Sequence, residues 1–337
     1  MLLGAIEAGG TKFVCAVGHE NGTIVERTVI PTDLPEVTMR GVVEFFQKHE
    51  PDAIGVGTFG PADVNPISPA FGTITSTPKQ GWRDYPLLSE LKKVFPVPMG
   101  FNTDVNAAAL GEAKLGAAKG LDSCLYITVG TGIGAGALVG GELLQGLSHP
   151  EMGHIMVRRH PDDPYEGKCP YHKDCLEGLA AGPAIEARWG MKGDKLQEAE
   201  EVWEMEGFYL AQAIAHYILV LSPKKIILGG GVMKQEQLFP IIARNVREIL
   251  NGYVSLPEIT DRLDEYLVPP GLGDNAGITG SLMLAYEAYT EQNDRNIGVP
   301  EEYRHPFIIS STNLFPGNKF PEKRIILFEH TGFLVFL

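Results

Sequence analysis

Three glycine-rich turns, each at the end of a strand-like apolar run, constrain this chain more than any other feature. The first is Glu7-Ala8-Gly9-Gly10-Thr11-Lys12, joining the apolar run from Leu2 to Ala8 to a second run from Lys12 to Gly18. The second, Thr128-Val129-Gly130-Thr131-Gly132-Ile133-Gly134, joins CLYITV to AGALV. The third, Leu228-Gly229-Gly230-Gly231-Val232-Met233, follows the run KKIILGG and precedes a helical pattern. Glycine lets backbone N–H groups come close to a ligand, and a neighbouring Thr or Lys can address phosphate oxygens. A single glycine pair would serve a plain hairpin; three such turns on strand ends point to a nucleotide.

The element order around the turns repeats. Leu2 to Ala8, Lys12 to Gly18 and Ile24 to Ile30 read as an antiparallel three-strand start, with Asn21-Gly22 as the second turn. A helix is predicted over Val37 to His49, a buried strand over Ala53 to Gly57, a helix over Leu87 to Val94, a strand over Val97 to Phe101 and a helix from about Val105. From Ser123 the pattern restarts with CLYITV, AGALV and ELLQG. Helices from about Val202 to Leu221 and from Leu238 to Leu250 flank KKIILGG, and a final helix runs from Gly277 to Tyr289. Two halves opening alike predict a duplicated α/β fold: residues 1–117, completed by the helix near 277–289, and residues 118–276. Residues 290–337, with four prolines and no clear period, are expected to form a poorly ordered appendage.

Other classes are set aside by pattern and charge. No G-x-x-x-x-G-K-[ST] occurs, and the G-x-G-x-x-G at Gly55, Gly57 and Gly60 runs into Pro61, Pro66 and Pro69 where a Rossmann helix would start. A formal charge of −14 disfavours nucleic acid as a partner, while backbone amides can still hold a small phosphate ligand. No apolar run nears the roughly 20 residues of a membrane span, and Met1 to Ile6 lacks a basic n-region, so a cytoplasmic location is expected. In a reducing compartment Cys15 and Cys124, inside apolar runs, read as buried small hydrophobes. Cys169 and Cys175 remain, in a C-x₂-H-x₂-C spacing with His172 and with His154 upstream; two thiolates and two imidazoles would close a tetrahedral, structural Zn²⁺ site.

The motifs EAGGTK, GTFGPAD, FGTITSTPKQGW, NTDVNAAALGE, TVGTGIGAG, SHPEMGH, GKCPYHKDCLEGLAAGPAIEARWG and ILGGGVM, in this order over residues 1–289, resemble the ROK family of sugar kinases, most closely its bacterial fructokinases. The resemblance implies the actin-like ATPase (ribonuclease H-like) fold, two α/β domains around a cleft, and commonly a homodimer. It implies ATP-dependent phosphorylation of a hexose, with D-fructose to fructose 6-phosphate first and a manno-, gluco- or N-acylhexosamine kinase as alternatives. A kinase needs a base for the attacking hydroxyl, and Asp104 stands at the matching position, just before a helix where an isolated Asp would otherwise act as a cap. Asn102, Asp63, Glu151, His154 and Glu177 resemble sugar contacts. Gly9, Gly10, Thr11, Lys12, Gly130, Thr131 and Gly132 resemble phosphate contacts, with Mg²⁺ bridging the phosphates. Pro183 and the stretch Gly231, Val232, Met233, Lys234 and Gln235 resemble the adenine side. Zinc is also a family feature, held by His154, Cys169, His172 and Cys175; His172 stands where many members carry Cys. The family's repressors carry a helix-turn-helix before the first turn, for which Glu7 leaves no room. A non-catalytic sugar-binding regulator is opposed by the intact Asp104 and turns.

Overall fold

The computed structural model describes residues 1–297 and the strand residues 325–326 and 335–336. Residues Met1–Tyr289 make one compact unit and Thr290–Leu337 a second. In the first unit β1 (Leu3–Ala8), β2 (Lys12–Gly18) and β3 (Ile24–Pro31) pair antiparallel, as the sequence predicts. After helix α1 (Pro35–His49), β4 (Ala53–Thr58) joins β1 in parallel, and after α2 (Leu87–Val94), β5 (Met99–Thr103) joins β4 in parallel. Strand order is β3-β2-β1-β4-β5. Strand β4 is buried along its whole length, which explains its unbroken apolar run.

Helix α3 (Asp104–Leu115) leads to a second sheet built on the same path. Strands β6 (Cys124–Val129), β7 (Ile133–Val139) and β8 (Glu142–Leu143) pair antiparallel, and β9 (Ile226–Gly229) and β10 (Leu267–Val268) add in parallel, giving β8-β7-β6-β9-β10. Between β8 and β9 lie α4 (Leu176–Ala180), α5 (Gly182–Trp189) and α6 (Glu200–Leu221). After β9 come α7 (Leu238–Leu250), α8 (Pro257–Thr260) and α9 (Leu263–Tyr266). The matching strand order in the two sheets is the duplicated architecture of the actin-like ATPase fold.

Helix α10 (Ala276–Asn296) returns to the first sheet. A Cβ on Gly55 would lie 1.9 Å from the Ser281 carbonyl, and one on Gly280 1.6 Å from that of Ala107. The G-x-G of β4 therefore serves close helix packing and not a dinucleotide. Fully buried Glu112 on α3 accepts from Ala117 N (2.6 Å) and Gly271 N (3.0 Å) on one oxygen and from Leu272 N (2.9 Å) on the other, tying α3 to the segment before α10. Trp82 and Phe13 lie at the centre of the first core, and Trp203 and Tyr209 anchor the second.

Three boundaries differ from expectation. The strand predicted over Val97 to Phe101 begins at Met99, since Pro98 has no N–H to donate and only its carbonyl pairs, with Ile54 N at 3.0 Å. ELLQG shortens to a two-residue strand. The final helix continues seven residues past Tyr289, to Asn296, because an exposed helix needs no apolar period; Glu291 and Arg295, one turn apart, approach to 3.8 Å. In the second unit Ile325–Ile326 (β11) pairs antiparallel with Val335–Phe336 (β12), and the rest of the predicted appendage lies outside the described residues. No helix among the described residues is long and apolar enough to cross a membrane.

Candidate active site

Strand β5 delivers Asp104 to the first position of α3. Thr103 takes the cap, its hydroxyl accepting from Asn106 N at 3.2 Å, so Asp104 is free of that duty. Its Oδ1 accepts from Val105 N at 2.8 Å. Burial raises the carboxyl from 3.8 to about 7; the nearby charges of Glu7 and Glu151 push the same way, and backbone N–H bonds oppose them. Burial also raises Glu7 at the end of β1, against the pull of Lys12 and Arg27. A carboxylate poised near neutrality is suited to accepting a proton in a reaction.

The second and third glycine turns adjoin, and the first is linked to Asp104 through the charge of Glu7. Gly9 N donates to Lys12 O (2.9 Å), and Thr32 fastens the turn, its N to Thr11 O (3.0 Å) and its hydroxyl to Gly9 O (2.7 Å). Gly182 N donates to Gly130 O (2.8 Å), and a Cβ on Gly130 would meet Gly231 N at 3.9 Å, so the second turn, the start of α5 and the third turn adjoin. A Cβ on Gly10 or Gly231 would meet nothing within 4 Å, and neither has a positive φ. The protein itself does not require glycine at those two places; a backbone cradle for an anion does. Thr11, Lys12, Thr131 and Lys234 are exposed there, and Pro183 is half-buried. Met233 departs from expectation: its side chain is buried in the second core, leaving only its backbone to a nucleotide, and Gln235 N is spent on Val232 O at 3.1 Å.

A cavity of about 340 Å³ lies between the segment from Pro61 to Thr75 and the segment from Leu147 to Glu151. Asp63 lines it, but both its oxygens are engaged within its own loop, by Asn65 N at 3.1 Å and Ser68 Oγ at 2.5 Å. Asn102 Oδ1 accepts from Thr103 N (2.9 Å) and Asn106 Nδ2 (2.8 Å), which leaves its amide nitrogen for a ligand. Glu151 is exposed at the cavity rim. Glu177 Oε2 accepts from Ile133 N (3.0 Å), so this carboxylate braces the second glycine turn, while Oε1 lies 3.9 Å from His154 Nε2.

His154, Cys169, His172 and Cys175 offer ligand atoms all within 4.8 Å of one another. His154 Nδ1 is 3.5 Å from Cys175 Sγ and 3.8 Å from Cys169 Sγ, and His172 Nδ1 is 3.7 Å from Cys169 Sγ. A tetrahedral ion with bonds of 2.0–2.3 Å has edges of about 3.3–3.8 Å, so this donor set fits a small soft-to-borderline cation. Burial, with the neighbouring Cys169 thiol, pushes Cys175 up to about 11, so ionisation of Cys175 calls for a positive charge beside it.

Sequence reasoning passed over Glu7 as a site residue, although a carboxylate ending a buried strand was a visible signal. It also passed over His149, whose partner lies 87 residues away, and Asp274, which pairs with Lys234 at 2.9 Å. No spacing rule reports such contacts.

Residues 3–288 match the ROK family. This chain belongs to the ROK family. A Bacillus subtilis (strain 168) protein that carries a fructokinase name is 62% identical over 287 residues, covering 85% of this chain and 96% of its own. The fructokinase of Pediococcus pentosaceus is 49% identical over 288 residues, covering 86% and 99%. Among solved structures, the ROK glucokinase from Streptomyces griseus in complex with glucose and AMPPNP superposes with a TM-score of 0.69 at 26% identity, covering 85% of this chain and all of that one.

Proposed function

We propose that this ROK protein is an ATP-dependent fructokinase, transferring the γ-phosphoryl group of ATP to the 6-hydroxyl of D-fructose to give fructose 6-phosphate and ADP. The observation that carries the reading is Asp104, a buried acid raised to about 7 beside the charge of Glu7 from the first glycine turn. Fructose, in preference to glucose or mannose, is supported by relatives named fructokinase at 40–49% identity over most of this chain.

Asp104 accepts the hydroxyl proton as the phosphoryl group departs toward the sugar oxygen. Asn102, Glu151, His154, Glu177 and Asp63 surround the sugar. Gly9, Gly10, Thr11, Lys12, Gly130, Thr131 and Gly132 hold the phosphates through backbone N–H groups and side-chain donors, and Pro183 with Gly231 to Gln235 borders the adenine. Glu7, the acid that weighs most on Asp104, is the residue that would face a nucleotide-bound Mg²⁺, which would supply positive charge to offset that of the phosphoryl group. His154, Cys169, His172 and Cys175 would hold Zn²⁺ as a structural ion with no open position, and through the contact of His154 with Glu177 it would steady the second turn. The working unit is a cytoplasmic homodimer of chains organised as residues 1–117 plus the α10 region and residues 118–276.

The test is ATP- and Mg²⁺-dependent turnover compared across fructose, mannose, glucose and N-acetylmannosamine. Highest kcat/KM on fructose is expected; a higher value on any other sugar overturns the substrate, and no turnover on any of them overturns the enzyme.

A further inference from the structure

His149 is a buried histidine that the reaction outlined above does not use. It is 7% exposed and sits between the two segments that form the sugar-side cavity. Its Nε2 accepts the backbone N–H of Ala62 at 3.1 Å, across the cleft from the segment that follows β4. A backbone N–H can only donate, so Nε2 holds a lone pair and the proton of the neutral ring sits on Nδ1. Nδ1 lies 3.6 Å from Glu151 Oε1, beyond hydrogen-bond distance. The same ring passes Gly60, where a Cβ would come within 3.2 Å of His149 Cε1 and 3.4 Å of Glu151 Oε1. The Ala62 bond thus fixes the tautomer and ties the segment after β4 to the loop that carries Glu151, with Nδ1 beside the Glu151 carboxylate.

We propose that His149 is a positioning residue for the sugar, a latch that binds the Ala62 segment to the Glu151 loop and aims Glu151 at the substrate hydroxyls. The proposal deepens the fructokinase reading and rests on it. Such a latch acts on sugar affinity and leaves nucleotide affinity alone, because neither Ala62 nor Glu151 touches the glycine turns that hold the phosphates.

Two variants separate the latch from simple packing. In His149→Gln the amide oxygen can reach the place of Nε2 and accept from Ala62, whereas in His149→Asn the side chain is too short to do so. The expected result for His149→Asn is a rise of about tenfold or more in KM for fructose, with KM for ATP within about twofold of wild type, as loss of the one hydrogen bond that joins the Ala62 segment to the Glu151 loop, about 1.4 kcal/mol, implies. His149→Gln is expected to recover most of that loss. An unchanged fructose KM in the Asn variant, an equal rise in both KM values, or a Gln variant no better than Asn would each overturn the proposal. Amide hydrogen exchange at Ala62 supplies a reading independent of turnover: the amide should exchange at least tenfold faster in His149→Asn than in wild type, and equal rates would overturn the latch. Wild-type protein without fructose turnover would instead strike the fructokinase reading, while the exchange result would still decide the latch.

Discussion

Asp104 is expected to limit both the activity and the stability of the enzyme through one proton. Burial first, then the charges of Glu7 and Glu151, raise its carboxyl from 3.8 to about 7. At pH 6 about a tenth of the free enzyme would carry the carboxylate and at pH 8 about nine-tenths, so kcat/KM should fall about tenfold toward acid across that interval. Glu7→Gln removes the second-largest cause and should move the midpoint of that fall downward. The stability effect has the opposite direction. The folded protein keeps this proton between pH 3.8 and about 7, where the unfolded chain has lost it, so stability falls as pH rises through that window and stays low above it. At about 1.4 kcal/mol per pH unit the loss is at most about 4 kcal/mol, an upper bound because the side chain keeps an opening to solvent. Asp104→Asn, which has no charge to bury, should therefore melt on the order of 5 °C above wild type at pH 8, with the gap closing toward pH 4. Kinetics from pH 5.5 to 8.5 at saturating Mg²⁺, with thermal melts at both ends, measure all three. A flat kcat/KM profile between pH 6 and 8, or equal melting of wild type and Asp104→Asn at pH 8, would refute the reasoning.

Other expectations concern the supports of the site. Purified protein should contain one Zn²⁺ per chain by elemental analysis, and Cys175→Ser should lose the metal and melt lower, since the three remaining donors no longer close the tetrahedron. Glu112→Ala leaves three part-buried backbone N–H groups without their acceptor and should cost about 1–3 kcal/mol in denaturant unfolding. Gly10→Ala meets open space and needs no positive φ, so its melting temperature should stay within about 1 °C of wild type while KM for ATP rises about tenfold or more, as a methyl group occupies the phosphate cradle.

Much of this was readable in the sequence because the relevant signals are local. The apolar runs before Gly9, Gly130 and Gly230 are buried strands, and the repetition of a hairpin followed by parallel additions reproduces the shared order of the two sheets. Cys169 and Cys175 with His172 were visible as a cluster because seven consecutive residues hold three of the four donors. What escaped the sequence depends on contacts distant along the chain. The prolines after Gly60 excluded a nucleotide fingerprint at Gly55, but what that glycine does instead, admitting the Ser281 carbonyl more than 200 positions on, is a distant contact. Met233 sat in a motif that implied the nucleotide, yet the apolar neighbours of β6 and α6 claim its side chain. Helix α10 outran its apolar period because polar residues keep an exposed helix going as well as a buried one.

The most direct test of the central claim is the turnover of fructose with ATP and Mg²⁺ by wild type and by Asp104→Asn, with folding and fructose binding of the variant checked alongside. A base in direct contact with the reacting hydroxyl predicts a fall of about a hundredfold to ten-thousandfold in kcat with fructose binding retained. A variant that turns over within about threefold of wild type would contradict the assignment of Asp104 and with it the chemistry proposed for the cleft.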